Sequence, residues 1–163
     1  MGLSDLFAAI QAWPVAAAVR ESGWLFPTIE TVHVAALVTV VGTIVIVDLR
    51  LLGLASADRP ISALSAEVLP FTWGAFLVAF TTGFLMFASS AVTYAANAPF
   101  RIKMALLLTA GLNMAGFHFL THRGAGRWDQ TRSPPVPVKL AGAASLLLWI
   151  GIIAAGRWVG FTG

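Results

Sequence analysis

The chain has 163 residues, of which 58% are hydrophobic and only 10% are charged, and its formal net charge is +3. This composition excludes a water-soluble domain of this length and predicts an integral membrane protein. The absence of cysteine excludes disulfides, thiolate metal sites and iron–sulfur clusters. The few Arg and Lys residues are scattered among short loops, which is typical of a membrane topology signal and predicts no nucleic-acid partner.

The first predicted element covers about residues 3–19. Asp5 and Pro14 interrupt its apolar character, so it is too polar to span a bilayer. We predict one amphipathic helix that lies at the membrane interface, with Trp13 and Trp24 close to the lipid headgroups.

Four apolar segments of roughly 20 residues follow, which is the length that a helix needs to cross the hydrocarbon core. Charge, proline or glycine separates each segment from the next. The predicted spans are about 27–47, 69–89, 102–120 and 138–159. The sequence therefore predicts an all-α fold, a membrane four-helix bundle that forms a single domain over residues 1–163.

The orientation of the bundle follows from the positive residues on its two sides. One side, after the first and third spans, carries six: Arg50, Arg59, Arg123, Arg127, Arg132 and Lys139. The opposite side carries four: Arg20, Arg101, Lys103 and Arg157. Because positive loops favour the cytoplasm, we predict a multi-pass membrane protein with both termini outside the cytoplasm.

Glu30 and His33 stand one turn apart at the head of the first span, in FPTIETVHVAAL. The same helical face carries Asp48 further along. An ionisable group facing lipid costs about 2.5 to 3.5 kcal/mol, so we expect this face to look into the bundle. Glu30 is then expected to be buried against a cation, either Arg157 or Lys103.

The polar residues of the spans fall into two layers, because alternate helices run in opposite directions. The outer layer contains Glu30, His33, Tyr94, Lys103 and Arg157. The inner layer contains Asp48, Asn113 and His118. We take the outer layer, together with His118, as the candidate cofactor-binding residues.

His33 is predicted to be an axial ligand of haem b, the cofactor best matched to histidine ligation without cysteine. Glu30 or Tyr94 would then hydrogen-bond the ligand ring or a propionate. Lys103 or Arg157 would neutralise propionate charge. The simpler interpretations are an ion pair of Glu30 that locks helix packing, and a His33 that only hydrogen-bonds a neighbouring helix.

His118 is the candidate second metal ligand, although it lies roughly 15 Å deeper in the membrane than His33 at the helical rise. A single histidine, or a ligand from a partner chain, is the alternative. Copper held by His33, Met86, Met114 and His118 ranks below haem because the methionines do not cluster. A di-iron centre does not fit this sequence, because it normally needs further glutamates within the spans and the other glutamates lie outside them.

Several segments resemble an uncharacterised family of small bacterial inner-membrane proteins with a domain of unknown function. They include SGWLFPTIETVHVAAL, VGTIVIVDLRLLGLA and YAANAPFRIKMALLLTAGLNMAGFH, and the resemblance covers nearly the whole chain. More distantly, His33 followed by Gly42 is similar to haem-binding membrane proteins that oxidise protoporphyrinogen and to copper-resistance D-type domains. The former resemblance implies roles for Lys103 and His118, whose spacing here is about one helical turn longer than in that family.

Three functions remain open at this point. The first is a haem b redox or electron-transfer subunit, and the second is a non-enzymatic accessory subunit of a larger membrane complex. The third is a small transporter, which ranks last because the sequence shows no inverted repeat and no pair of broken spans. The expected partners are the lipid bilayer and a protein of a membrane complex or a second copy of this chain.

Overall fold

The computed structural model describes residues 2–121, 129, 131 and 133–162. Within these residues the chain is helical and contains no strand, so the predicted all-α class is confirmed. The α-helices are α1 Leu3–Gln11, α2 Pro14–Glu21, α3 Leu25–Leu52, α4 Ile61–Ser89, α5 Ala91–Ala96, α6 Ala98–Gly116 and α7 Val136–Val159. A π-helical turn, Phe117–Thr121, continues α6.

Four helices are long and apolar enough to cross a membrane. They are α3, α4, α6 with the start of its π-helical turn, and α7. Each coincides with one of the predicted spans, and α3 and α4 extend well beyond them. Their outer faces carry large apolar side chains that are roughly two thirds exposed, as at Val38, Phe71, Leu108 and Leu147. Such faces are unfavourable in water and suit contact with lipid, which fits a multi-pass membrane protein.

The N-terminal segment differs from the single helix predicted over 3–19. Pro14 begins α2, and Trp13 before it is extended, with φ −60° and ψ 141°. Proline has no N–H for the helical ladder and disfavours the α conformation of the residue before it, so the helix breaks here. The segment also docks on the bundle, because Arg20 Nη1 donates to the Ser89 carbonyl oxygen at 3.0 Å.

The core of the bundle lies where α3 packs along α4 and α7, and where α7 packs along α6. Val40, Trp149 and Ile152 form its buried centre. Gly142 brings α7 against α3, since a methyl group at this position would lie 3.1 Å from Leu51 Cβ. The close approach of these two helices therefore depends on glycine at position 142.

At the C-terminal end of α3, the fully buried Arg50 side chain joins two connecting segments. Its Nε donates to the Arg59 carbonyl oxygen at 2.8 Å, and its Nη2 donates to the carbonyl oxygens of Asp129 at 3.3 Å and Thr131 at 3.1 Å. The Asp129 carboxylate accepts from the Ser62 N–H and hydroxyl at 2.7 and 2.6 Å, at the start of α4. We call Arg50, Arg59, Asp129 and Thr131 the Arg50 clamp.

The Asp129 carboxylate of the clamp titrates below the usual range. Burial alone would raise the pKa of Asp129, but the hydrogen bonds from Ser62 and the backbone of Ile61, with the positive charge of Arg50, outweigh burial. The pKa is therefore held below its ordinary value of 3.8. The ionised form of Asp129 is thus the one that fastens the connecting segment to α4.

Candidate functional site

His33 packs against α4 with a defined ring orientation. Its Nδ1 lies 3.0 Å from Thr82 Oγ1. The Thr82 hydroxyl also lies 2.7 Å from the Val78 carbonyl oxygen and 3.2 Å from the Ala79 carbonyl oxygen. When its hydrogen is directed to one of these carbonyls, the hydroxyl accepts from His33 Nδ1, and the neutral ring then carries its lone pair on Nε2.

Gly83 makes room for this ring. A methyl group at position 83 would lie 2.9 Å from His33 Cε1, a contact that requires the ring to move. The helix α4 therefore fixes His33 through two adjacent residues, a hydroxyl contact at Thr82 and an open space at Gly83. Sequence reasoning missed both, although the small and hydroxyl-bearing stretch FTTGF within the second span carried a signal.

Lys103 on α6 is the charged group beside this ring, as the layering of the spans predicted. It is partly buried, and its ammonium is close enough to act electrostatically on His33. It extends towards α7, where a methyl group at Gly156 would lie 3.6 Å from its Nζ. No ion pair or hydrogen bond of this ammonium is formed with the residues that the structure describes. The site therefore has the charge to accept an anionic group.

The expectation that Glu30 is buried against a cation is wrong. Glu30 is exposed, and the described part of the chain gives it no ion pair. Arg157 is exposed too, and its Cζ lies 4.8 Å from the centre of the Phe161 ring. Glu30 stands in the second turn of α3, where its carboxylate can reach the headgroup region and stay hydrated. Lys103 is directed towards α7 instead.

Tyr94 in α5 belongs to an aromatic cluster at the end of the bundle where α4 ends and α6 begins. Its ring centre lies 5.6 Å from that of Phe100, which stacks on Phe87 at 5.4 Å. Burial raises the pKa of Tyr94, and the negative charge of Glu30 raises it further, so its phenol stays protonated. Phe100 precedes Lys103 by one turn of α6, so this cluster lies on the same helical face as Lys103.

His118 lies in the π-helical turn at the opposite end of α6, with an exposed side chain. It follows Lys103 by about four turns, or roughly 22 Å along the helix. The structure therefore does not bring His33 and His118 to one metal ion. The residues predicted to hold copper are separated as well, because Met86 is near the C-terminal end of α4 whereas Met114 is near His118. Over the described residues, no three His, Asp or Glu side chains form a group that could hold a metal.

Comparison with known proteins assigns no chemistry to this chain. Residues 18–162 match a family of unknown function, DUF6644. No curated protein and no solved structure gives a significant match. The more distant resemblances to haem-binding and copper-resistance membrane proteins thus gain no support. Because the match covers most of the chain, the protein belongs to the DUF6644 family, and the resemblance to an uncharacterised family is confirmed.

Proposed function

We propose that the protein is a small cofactor-binding subunit of the membrane, in which His33 ligates a b-type haem between α3, α4 and α6. The observation that supports this proposal best is the contact between the His33 ring and a hydroxyl on α4. Metal-ligating histidines usually donate one ring N–H to an oxygen acceptor, which fixes the ring and leaves the other nitrogen for the metal. The Thr82 hydroxyl, 3.0 Å from His33 Nδ1, is positioned to be that acceptor.

The surrounding residues fit the other end of such a cofactor. A haem carries two propionates, and the partly buried Lys103 ammonium supplies a positive charge without a protein anion of its own among the described residues. The protonated Tyr94 phenol can donate a hydrogen bond to a propionate. A bound haem would supply one-electron chemistry. Among the described histidines, His33 is the one at this site, because His118 lies at the other end of α6.

Absorption spectroscopy of protein purified under haem-replete conditions tests this proposal. We expect a Soret band that His33→Ala abolishes and that Thr82→Val weakens, because valine keeps the shape of the side chain and removes the acceptor. His118→Ala is the matched control at the other end of α6 and should leave the band unchanged. Wild-type protein that stays colourless, also after titration with haemin, would remove the haem function.

A second candidate function is supported by a groove on the lipid side of α3 and α4. The groove has a volume of about 300 Å³, and small residues such as Ala35, Thr39, Gly74 and Ala75 line it. Close approach at small residues is how helices associate in membranes. An accessory subunit would use this groove to pack against an apolar helix of a larger complex.

Cross-linking in native membranes distinguishes this second function. Gly74→Leu would fill the groove and should abolish the cross-linked species. Gly111→Leu is the control, because position 111 on α6 is also exposed and open. A cross-linked species that both variants keep equally would exclude the groove as the docking surface.

We also propose that the termini lie in the periplasm and the Arg50 clamp on the cytoplasmic side, as the positive residues predict. Because the sequence has no cysteine, single introduced cysteines can be labelled without background. A membrane-impermeant reagent should label Ser4→Cys in intact spheroplasts and should not label Ser56→Cys in the α3–α4 connection. The reverse pattern would invert the orientation.

A further inference from the structure

Asp48 lies in the seam between α3 and α7, far from the His33 site. Its side chain is 4% exposed, and its Oδ2 has no hydrogen-bond partner among the described residues. The Ser145 hydroxyl on α7 is the polar side chain that faces this carboxylate. The seam is narrow here, because a methyl group at Gly142 would lie 3.2 Å from the Asp48 carbonyl oxygen. Asp48 is thus a carboxyl group enclosed by packed helices.

The charged groups on the neighbouring elements are directed elsewhere. The Arg50 guanidinium binds the carbonyl oxygens of the clamp. On α4, Glu67 pairs with an arginine of the connecting segment, and on α7 the Lys139 ammonium donates to a serine hydroxyl at 3.1 Å. His118 in the π-helical turn is exposed. Across the described ranges, no cation pairs with the Asp48 carboxylate.

A buried carboxylate without a cation is far more costly than the neutral carboxylic acid, because only the charged form loses a large hydration energy. We propose that Asp48 is a proton-binding site of the membrane domain. The carboxylate takes up one proton from the aqueous phase on Oδ2 and becomes a neutral acid, while Ser145 holds the other oxygen. Asp48 stands one turn before the end of α3, so the proton exchanges with the side of the Arg50 clamp. This inference does not depend on the haem proposal.

Infrared spectroscopy of the whole protein in lipid tests the protonation directly. At mildly acidic pH we expect a carbonyl-stretch band of a protonated carboxylic acid that shifts in heavy water. Asp48→Asn should lose the band, and Glu30→Gln, which changes an exposed acid on the same helix, should keep it. Ser145→Ala should displace the band without removing it, because the acid loses a hydrogen bond.

The same variants can also refute the proposal. Asparagine has the shape of the neutral acid, so Asp48→Asn should melt within a few degrees of the wild type if Asp48 is protonated. A wild-type spectrum without the band at neutral and at mildly acidic pH would overturn the proposal, and so would a band that Asp48→Asn retains. If Asp48→Asn does not fold, displacement of the band by Ser145→Ala still decides, because an unchanged band would belong to another acid.

Discussion

Substituting Arg50 with methionine should destabilise the bundle at the C-terminal end of α3. The guanidinium donates to three carbonyl oxygens that belong to two separate connecting segments, at 2.8 to 3.3 Å. Methionine fills much of the same space and donates no hydrogen bond. The Arg50→Met protein therefore loses the polar contacts of the clamp and keeps most of the packing.

The size of the effect follows from these three hydrogen bonds. A hydrogen bond to a charged group contributes about 1.5 to 3 kcal/mol, so three give an upper range of about 4.5 to 9 kcal/mol. Two effects reduce the loss. Arg50 Nη1 is buried without a partner among the described residues, so removing it recovers desolvation energy, and the released carbonyl groups can rehydrate. We expect a net loss of about 3 to 5 kcal/mol.

Thermal unfolding in detergent, followed by circular dichroism, measures this loss. For a chain of this size it corresponds to a melting temperature lower by roughly 10 °C. Arg59→Gln is the matched control, because its ion pair with Glu67 is exposed and contributes about 1 kcal/mol at most. An Arg50→Met protein that melts no lower than Arg59→Gln would refute the clamp as a stabilising contact.

Three further predictions test the contacts described above. The pKa of Asp129 is held below 3.8, so its contribution to stability is present above that pH and is lost as the pH falls through the lowered pKa. Asp129→Asn should therefore flatten the acid side of a profile of melting temperature against pH. Gly83→Ala should displace the His33 ring and weaken any Soret band, whereas Gly74→Ala, where a methyl group meets no atom within 4 Å, should not. Glu30→Gln should change detergent stability by less than about 0.5 kcal/mol in chemical denaturation, since the side chain is exposed.

The four spans were predictable because span length and apolar content are local properties of the sequence. Their ends were not, since helices continue beyond the hydrocarbon core through polar residues. The helix α4 starts at Ile61 and passes Ser62 and Glu67 before the apolar run that defined the second span. The break at Pro14 was predictable in principle, because the rule that places proline in the first turn of a helix applies to the sequence alone.

The candidate site was predictable only in part. Counting depth along antiparallel helices placed His33 and Lys103 in one layer, and the structure brings them together. Depth says nothing about the rotation of each helix, so the partners of these residues on α4 and α7 were missed. The error at Glu30 has another cause. Glu30 lies one turn nearer to the end of α3 than His33, so its carboxylate can reach water and needs no cation.

The interior polar contacts of α3 explain why the haem proposal for His33 and the proton-binding proposal for Asp48 are independent. His33 contacts Thr82 near one end, and Asp48 faces Ser145 near the other, about 22 Å away along the helix. Apolar core packing, including Val40, separates them. At this distance two unit charges interact by only about 0.8 kcal/mol at an effective dielectric of 20. A colourless protein would therefore leave the protonation of Asp48 untouched, and an ionised Asp48 would leave the ligand nitrogen of His33 as available as before.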